Sequence, residues 1–443
     1  MSPALIALIR CWSRSKSRPI SRFTPAAETN AQSTIRFGMC QNAGGQPVVA
    51  VSRRGAARLR SGHVWVYRSD IVEAKHVPPG ALVTVQELSE KSIRPTRSRP
   101  ARVLGSAFYS SASEIALRMI SGKRVEDLAQ LVRERIRAAI VYRERFVRDT
   151  DAYRVIFSEA DFLPGLVVDR YNDIVSMQVL TQAMDAEPMR ERIISELQRS
   201  LNPASIAERV DPRVRKLEQL SEKQSGFVSG TKTSTEFQMN GVRFIYEALG
   251  GQKTGAFLDQ RENYAAAAQY ARGEALDVFC YQGGFALHMA RNCSRVTGVD
   301  SSRPALEVAE RNAARNGHEI EWIEANAFDL LRDYSDAGKQ YDCIVLDPPA
   351  FAKTKHNLET AMRGYRELNL RALKMLRAGG ILISCSCSYH VSAIDLLGSV
   401  SAAALDSHRI LRLLENRGQA KDHPTVLSIP ETAYLKCLMA VVS

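Results

Sequence analysis

Asp277-Val278-Phe279-Cys280-Tyr281-Gln282-Gly283-Gly284-Phe285 joins an apolar run to a helical pattern through paired glycines. An apolar run ends at a glycine-closed turn, and a helical pattern over 284–291 follows at once. Glycines at such a turn let a ligand approach the backbone, and the helix N-terminus behind them favours its polar groups. The turn is not GxGxxG, so a dinucleotide pyrophosphate fits it poorly. Working outward, strands are expected over 276–280, 295–300, 319–324, 343–347 and 381–387. Helices are expected over 284–291, 303–315, 327–335 and 362–376. Strands separated by helices of this length make βαβ units and a mostly parallel sheet, an α/β class. The last runs, 409–414 and 434–442, read as an antiparallel edge.

The strand ends carry the chemistry. Asp277 is an acid where a nicotinamide-binding fold would have none, and it can accept a hydrogen bond from an ammonium group. Asp300 closes the second strand about 20 residues beyond the glycines, where a carboxylate accepts ribose hydroxyls. The third ends at Ala325-Asn326-Ala327-Phe328, a polar residue and apolar neighbours suited to an adenine edge and face. This pattern resembles the Rossmann-like class I S-adenosylmethionine-dependent methyltransferases. That resemblance implies S-adenosyl-L-methionine as cofactor.

Asp347-Pro348-Pro349-Ala350-Phe351 follows the fourth strand, its prolines stiffening a turn that presents a carboxylate at the sheet's C-terminal edge. Amino-group methyltransferases commonly have an aromatic residue where Ala350 stands, which weakens a nitrogen-methylation reading. Cys387 ends the fifth strand. Carbon 5 of cytosine is too weak a nucleophile to attack a methyl sulfonium until a thiolate adds at carbon 6. Cys387 is therefore the candidate nucleophile, with Asp347 holding the ring at N3. Cys385 shares its strand face but lies deeper. Positive charge from the RNA-facing side or from Lys353, just past the Asp347 turn, would raise the thiolate fraction.

The rest of the 443 residues read as further domains. Residues 1–46 form a basic tail expected to be disordered, consistent with a transit peptide or with an over-extended start before Met39. A small β-rich unit spans 47–122, with a basic helix over 53–62 and a basic loop over 91–102. An α+β unit spans 123–250, with a helix over 125–148, a second over 187–201, a loop or hairpin flank over 206–229 and one strand-like run over 237–246. The last domain, 251–443, holds the βαβ pattern.

The net charge is +12, and residues 1–100 hold 16 Lys and Arg against 5 acids. A localised basic excess is the footprint of nucleic-acid binding, and Arg53, Arg54, Arg58 and Arg60 on the early helix are the candidate RNA contacts. None of the eight cysteines forms a CxxC pair or lies at zinc-finger spacing to a histidine, so no metal is expected. Their use fits a reducing, cytoplasmic setting. No apolar run reaches the roughly 18 residues of a membrane span.

These residues together resemble the ribosomal large-subunit RNA cytosine-5 methyltransferases, which pair an N-terminal PUA domain with a C-terminal methyltransferase domain. The matching segments are 61–71, 157–171, GQKTGAFLDQREN at 251–263, 277–287, 347–355 and 386–388, then Asp422-His423-Pro424 and Tyr434-Leu435-Lys436. Departures are Tyr264 in place of a basic residue, Cys280 and Gln282 in place of Ser and Thr, and Tyr389 after Ser-Cys-Ser. The resemblance implies that Cys387 is the nucleophile, that large-subunit rRNA is the partner, and that 47–122 is a PUA-like RNA-binding domain. It implies that Asp277, Gly283, Asp300, Asn326 and Asp347 line the cofactor site. Gln260 and Arg261 would lie close to cofactor or target, or else tie the domain junction, and His423 would border the site or serve the core. A homodimer is compatible with it. Two other readings stay open: a nitrogen methyltransferase of guanine or adenine with Cys387 structural, and a non-catalytic RNA-binding assembly factor.

Overall fold

The computed structural model describes residues 45–87, 102–250, 256–352 and 357–443. The tail before residue 45, nearly all of the 91–102 loop, the start of the GQKTG segment and Lys353 lie outside the described residues.

The first unit is a six-stranded sheet made of β1 (Val48–Val51), β2 (Trp65–Tyr67), β3 (Ile71–Glu73), β4 (Leu82–Glu87), β5 (Arg102–Tyr109) and β6 (Ile115–Ser121). Its order is β2-β6-β5-β4-β1-β3. Helix α1 (Arg53–Arg60) starts at Ser52, whose hydroxyl accepts from Gly55 N, and it buries Gly55 and Ala56.

The middle unit pairs β7 (Ala152–Phe157), β8 (Leu166–Tyr171), β9 (Ile174–Val179), β10 (Ser205–Glu208) and β11 (Gly226–Ser229) in the order β11-β10-β9-β8-β7. Helices α2 (Leu128–Phe146) and α4 (Glu187–Leu201), with the short α3 (Gln182–Asp185) between strand and helix, cover it. Ile136, Ile140, Ile193 and Leu197 sit in one core with Val155, Val168 and Val175. The 206–229 segment is not a loop. β10 pairs parallel with β9, α5 (Pro212–Leu217) begins at the Asp211 cap, and β11 returns antiparallel. Its strands are four residues each, too short for a clear period. The single run expected over 237–246 is a hairpin, β12 (Ser234–Met239) and β13 (Val242–Glu247), turning at Asn240-Gly241. Phe237 and Phe244 of this hairpin pack in one cluster with Tyr264 and Phe285 of the last domain.

The last domain runs α6 (Arg261–Tyr270), β14 (Gly273–Val278), α7 (Gly284–Met289), β15 (Cys293–Asp300), α8 (Arg303–Asn316), β16 (Glu321–Glu324), α9 (Ala327–Asp336), β17 (Tyr341–Leu346), α10 (Leu358–Met375), β18 (Leu376–Ser386), α11 (Ala393–Asp406), β19 (Leu411–Arg417) and β20 (Lys436–Val442). The sheet order is β16-β15-β14-β17-β18-β20-β19, with only β20 antiparallel to its neighbours. Cys343 and Val345 of β17 join one core, Ile344 and Leu346 the other, so the sheet is buried on both faces. The strand order reverses at β14, which pairs with β15 on one side and β17 on the other. A ligand crevice belongs at the carboxyl ends there.

After β19 the chain makes a long excursion before β20. On it Val426 and Ile429 pack into the core of the first unit, and Glu431 lies 3.1 Å from His63 Nε2. One segment thus ties the β-rich unit to the seven-stranded sheet.

Candidate active site

The loop after β14 is built under constraint. Phe279 and Tyr281 take positive φ of 67° and 50°, unusual for aromatic residues. Backbone hydrogen bonds hold them there: Phe279 N and Cys280 N donate to Val299 O at 2.8 and 3.0 Å. Gly283, at φ 86°, caps α7, and a Cβ there would lie 2.8 Å from the Trp322 ring. Asp300 receives this loop. Its Oδ2 accepts from Tyr281 N and its Oδ1 from Ser302 N, each at 2.9 Å. Each oxygen keeps a lone pair for a ribose hydroxyl.

Asp277 is fully buried at the end of β14. Its Oδ2 accepts from Ala286 N at 2.8 Å, while Oδ1 has no partner among the described residues. Burial pushes its pKa up to about 8. An enclosed carboxylate oxygen left without a donor is what an ammonium-bearing ligand requires, so this crevice fits the methionine end of S-adenosylmethionine. Asn326 spends its side-chain oxygen on capping α9, accepting from Phe328 N at 2.9 Å. Its amide hydrogens are what it has to offer an adenine edge.

The other half of the crevice lies past β17 and β18. Gln260 Nε2 donates to Asp347 Oδ2 at 3.0 Å, and Asn263 Nδ2 holds Gln260 Oε1 at 2.6 Å. Enclosure, then the charge of Asp259, pushes the Asp347 carboxyl up to about 7. A carboxyl near that value both accepts and donates at neutral pH. Cys387 emerges just beyond β18, half-buried, with its Sγ 3.9 Å from Pro348 O on the Asp347 turn. Tyr365 OH lies 2.8 Å from Ser386 Oγ and 3.1 Å from Ser388 Oγ, pinning the residues on either side of the cysteine. Cys385 is wholly buried opposite Cys437, and burial raises its thiol well above the usual range.

The pair Gln260 and Arg261 divides between the two expected roles. Gln260 reaches Asp347, whereas Arg261 is turned away and grips Asp422 at 2.9 and 3.0 Å. His423 is buried against Phe157, ring centroids 5.4 Å apart, in the domain junction. Tyr264 occupies the space above Gly284, where a Cβ would lie 2.4 Å from its ring, and so serves packing. Asn263, Trp322 and Lys436 carry no role in the sequence reading. Asn263 had a signal, because it sits one helical turn after Gln260 in the matched segment.

The four arginines line α1. Arg54 Nε meets Asp70 Oδ1 at 2.7 Å, Arg58 meets Asp70 Oδ2 at 3.3 Å, and Arg60 meets Glu87 at 2.6 Å. Arg58 also lies 4.6 Å over the Tyr67 ring. Arg53 is exposed on the same helix. The helix face is thus cationic but partly compensated by its own domain.

This fold and crevice define an S-adenosylmethionine-dependent methyltransferase. The family model described as S-adenosylmethionine-dependent methyltransferase matches residues 174–439, and a PUA-like domain model matches 49–122. Ribosomal RNA large subunit methyltransferase I of Photobacterium profundum is 35% identical over 388 residues, 85% of this chain and 95% of its own. The protein of that name from Shewanella denitrificans is 36% identical over 393 residues, 86% and 96%. The chain belongs to this ribosomal RNA large subunit methyltransferase I family. Among solved structures, a proposed methyltransferase, SMU.776, complexed with SAH superposes with a TM-score of 0.75 at 18% identity, covering 89% of this chain and 100% of that one. This likeness shows the shared fold. No helix among the described residues is long and apolar enough to cross a membrane.

Proposed function

We propose that the protein forms 5-methylcytosine in large-subunit ribosomal RNA through a covalent adduct between Cys387 and carbon 6, acting in the cytoplasm. One observation carries the reading: the half-buried Cys387 thiol stands against the Asp347-Pro348 turn, while its rival Cys385 is shut into the core. The cofactor supplies a methyl group on a positively charged sulfur. Asp277 and Asp300 would hold its two polar ends. Asp347, kept in place by Gln260, hydrogen-bonds the cytosine at N3, and Cys387 sulfur forms a bond to carbon 6. The electron pair displaced to carbon 5 takes the methyl group. The carbon 5 proton then passes to water, the electrons of that bond restore the double bond between carbons 5 and 6, and the bond from carbon 6 to sulfur breaks to release the thiolate. The rRNA substrate follows from the names of the relatives and from the PUA-like domain, with Arg53, Arg54, Arg58 and Arg60 along phosphates.

Mass spectrometry of nucleosides from RNA methylated by the pure protein tests the chemistry. 5-Methylcytidine is expected, and a nitrogen-methylated guanosine or adenosine would replace this reading. Neutralising the four arginines should flatten the salt dependence of RNA binding by up to about 0.7–0.9 for each phosphate no longer neutralised. An unchanged slope would return them to the solvated surface.

A further inference from the structure

Lys436 opens β20 directly opposite Ser386, the last residue of β18. Its side chain is buried, with 9% of the residue exposed. The Nζ donates to Ser388 O at 2.7 Å and to Tyr434 O at 2.8 Å. Ser388 is the residue after Cys387, so the amine clasps the chain where the cysteine leaves the sheet. Two carbonyls satisfy two of the three ammonium hydrogens. Among the described residues no carboxylate forms an ion pair with it. A buried ammonium with only carbonyl partners is costly unless an anion balances it.

The clasp on Ser388 O sets this ammonium beside the backbone of Cys387, whose thiol can supply the balancing anion. Burial lowers the Lys436 pKa to about 8, and the charges that oppose this are those of Cys387 first and Asp395 second. Among the described residues, Tyr365 on α10, the Pro348 carbonyl on the Asp347 turn, and the cluster holding Tyr434 and Leu435 lie about Cys387. None of the groups named here except Lys436 is a cation, and its ammonium lies against the carbonyl of the next residue, Ser388.

We propose that Lys436 is the positioning residue that holds Cys387 as a thiolate. Its purpose rests on the cytosine-5 reading, because only an attacking sulfur needs the charge. A thiol left at the free value of roughly 8.5 would be only a few per cent ionised at neutral pH.

Alkylation of Cys387 by iodoacetamide, followed across pH by peptide mass spectrometry on the full chain, reads this directly. The alkylating step forms a sulfur–carbon bond and releases iodide, and its rate follows the thiolate. In the wild-type protein the midpoint should lie below the free-thiol value of roughly 8.5. In Lys436→Met it should rise by about one unit, so that alkylation at neutral pH slows about tenfold. Lys436→Arg should restore most of the rate. A wild-type midpoint at or above roughly 8.5 overturns the proposal without any variant. So does an unchanged midpoint in a folded Lys436→Met. A low midpoint together with no adduct on 5-fluorocytosine RNA would sink the cytosine-5 reading and leave the ion pair standing.

Discussion

In the crevice, Asp277 and Asp347 sit deep in the protein, and neither forms an ion pair among the described residues. Burial drives their pKa values up to about 8 and about 7. At the junction between the middle and methyltransferase domains, Asp422 is just as enclosed, but Arg261 takes both its oxygens and Arg154 N adds a third bond at 2.8 Å. Burial works against that carboxylate too, yet the Arg261 charge holds it far below the usual range. The same residue type is thus under-compensated in one place and saturated in the other. A fold leaves acids unsatisfied where a ligand or substrate completes them, and saturates them where they serve as scaffold.

The largest effect should come from breaking the saturated side. Asp422→Asn leaves Arg261 buried without its counter-charge and should cost about 3–5 kcal/mol in denaturant unfolding. Asp347→Asn should cost far less, and a comparable loss would erase the contrast. The pH signs also differ. Asp422 has a lowered folded pKa, so its contribution is present above about pH 4 and is lost as pH falls through the folded value. Asp347 has a raised one, so its contribution is full below about pH 4 and is lost as pH rises through about 7.

A smaller effect is expected on the ligand side. Asp300→Ala removes an acceptor for ribose hydroxyls and should weaken S-adenosylmethionine binding by about 1.5–3 kcal/mol in calorimetry. Unaltered affinity would move the ribose elsewhere.

The subtlest effect concerns protons. Burial biases Asp277 toward its protonated form in the free protein. An ammonium group against Oδ1 favours the carboxylate, so cofactor binding near neutral pH should release close to one proton, and affinity should rise toward about pH 8. Calorimetry in buffers of different ionisation heat measures this, and Asp277→Asn should abolish it. Proton uptake in the wild type would contradict the placement.

The contrast between regions also explains what was legible in the sequence. Strand ends on a parallel sheet all face one edge, so the placement of Asp277, Asp300, Asn326, Asp347 and Cys387 along that edge was legible from local pattern. The helix Glu187–Leu201 matched residue for residue, because its apolar period and Pro188 in the first turn are local signals. What the sequence hid is pairing across distance. Gln260 with Asp347, Arg261 with Asp422 and Lys436 opposite Ser386 join elements far apart in the chain, and no periodicity reports them. Two misses had readable signals: Asn240-Gly241 marks the β12–β13 turn, and Ser392 with Asp395 forms the capping box that starts α11.

The mechanism turns on whether Cys387, not Cys385, attacks the base. Fluorine at carbon 5 leaves no proton to lose there, so an adduct on 5-fluorocytosine RNA persists and can be counted by denaturing electrophoresis. With cofactor present, the wild type and Cys385→Ser should form it, and Cys387→Ser should form none while still binding RNA and S-adenosylmethionine. An adduct in Cys387→Ser that vanishes in Cys385→Ser would move the nucleophile inward. Methylation of unmodified RNA by both variants would contradict covalent catalysis altogether.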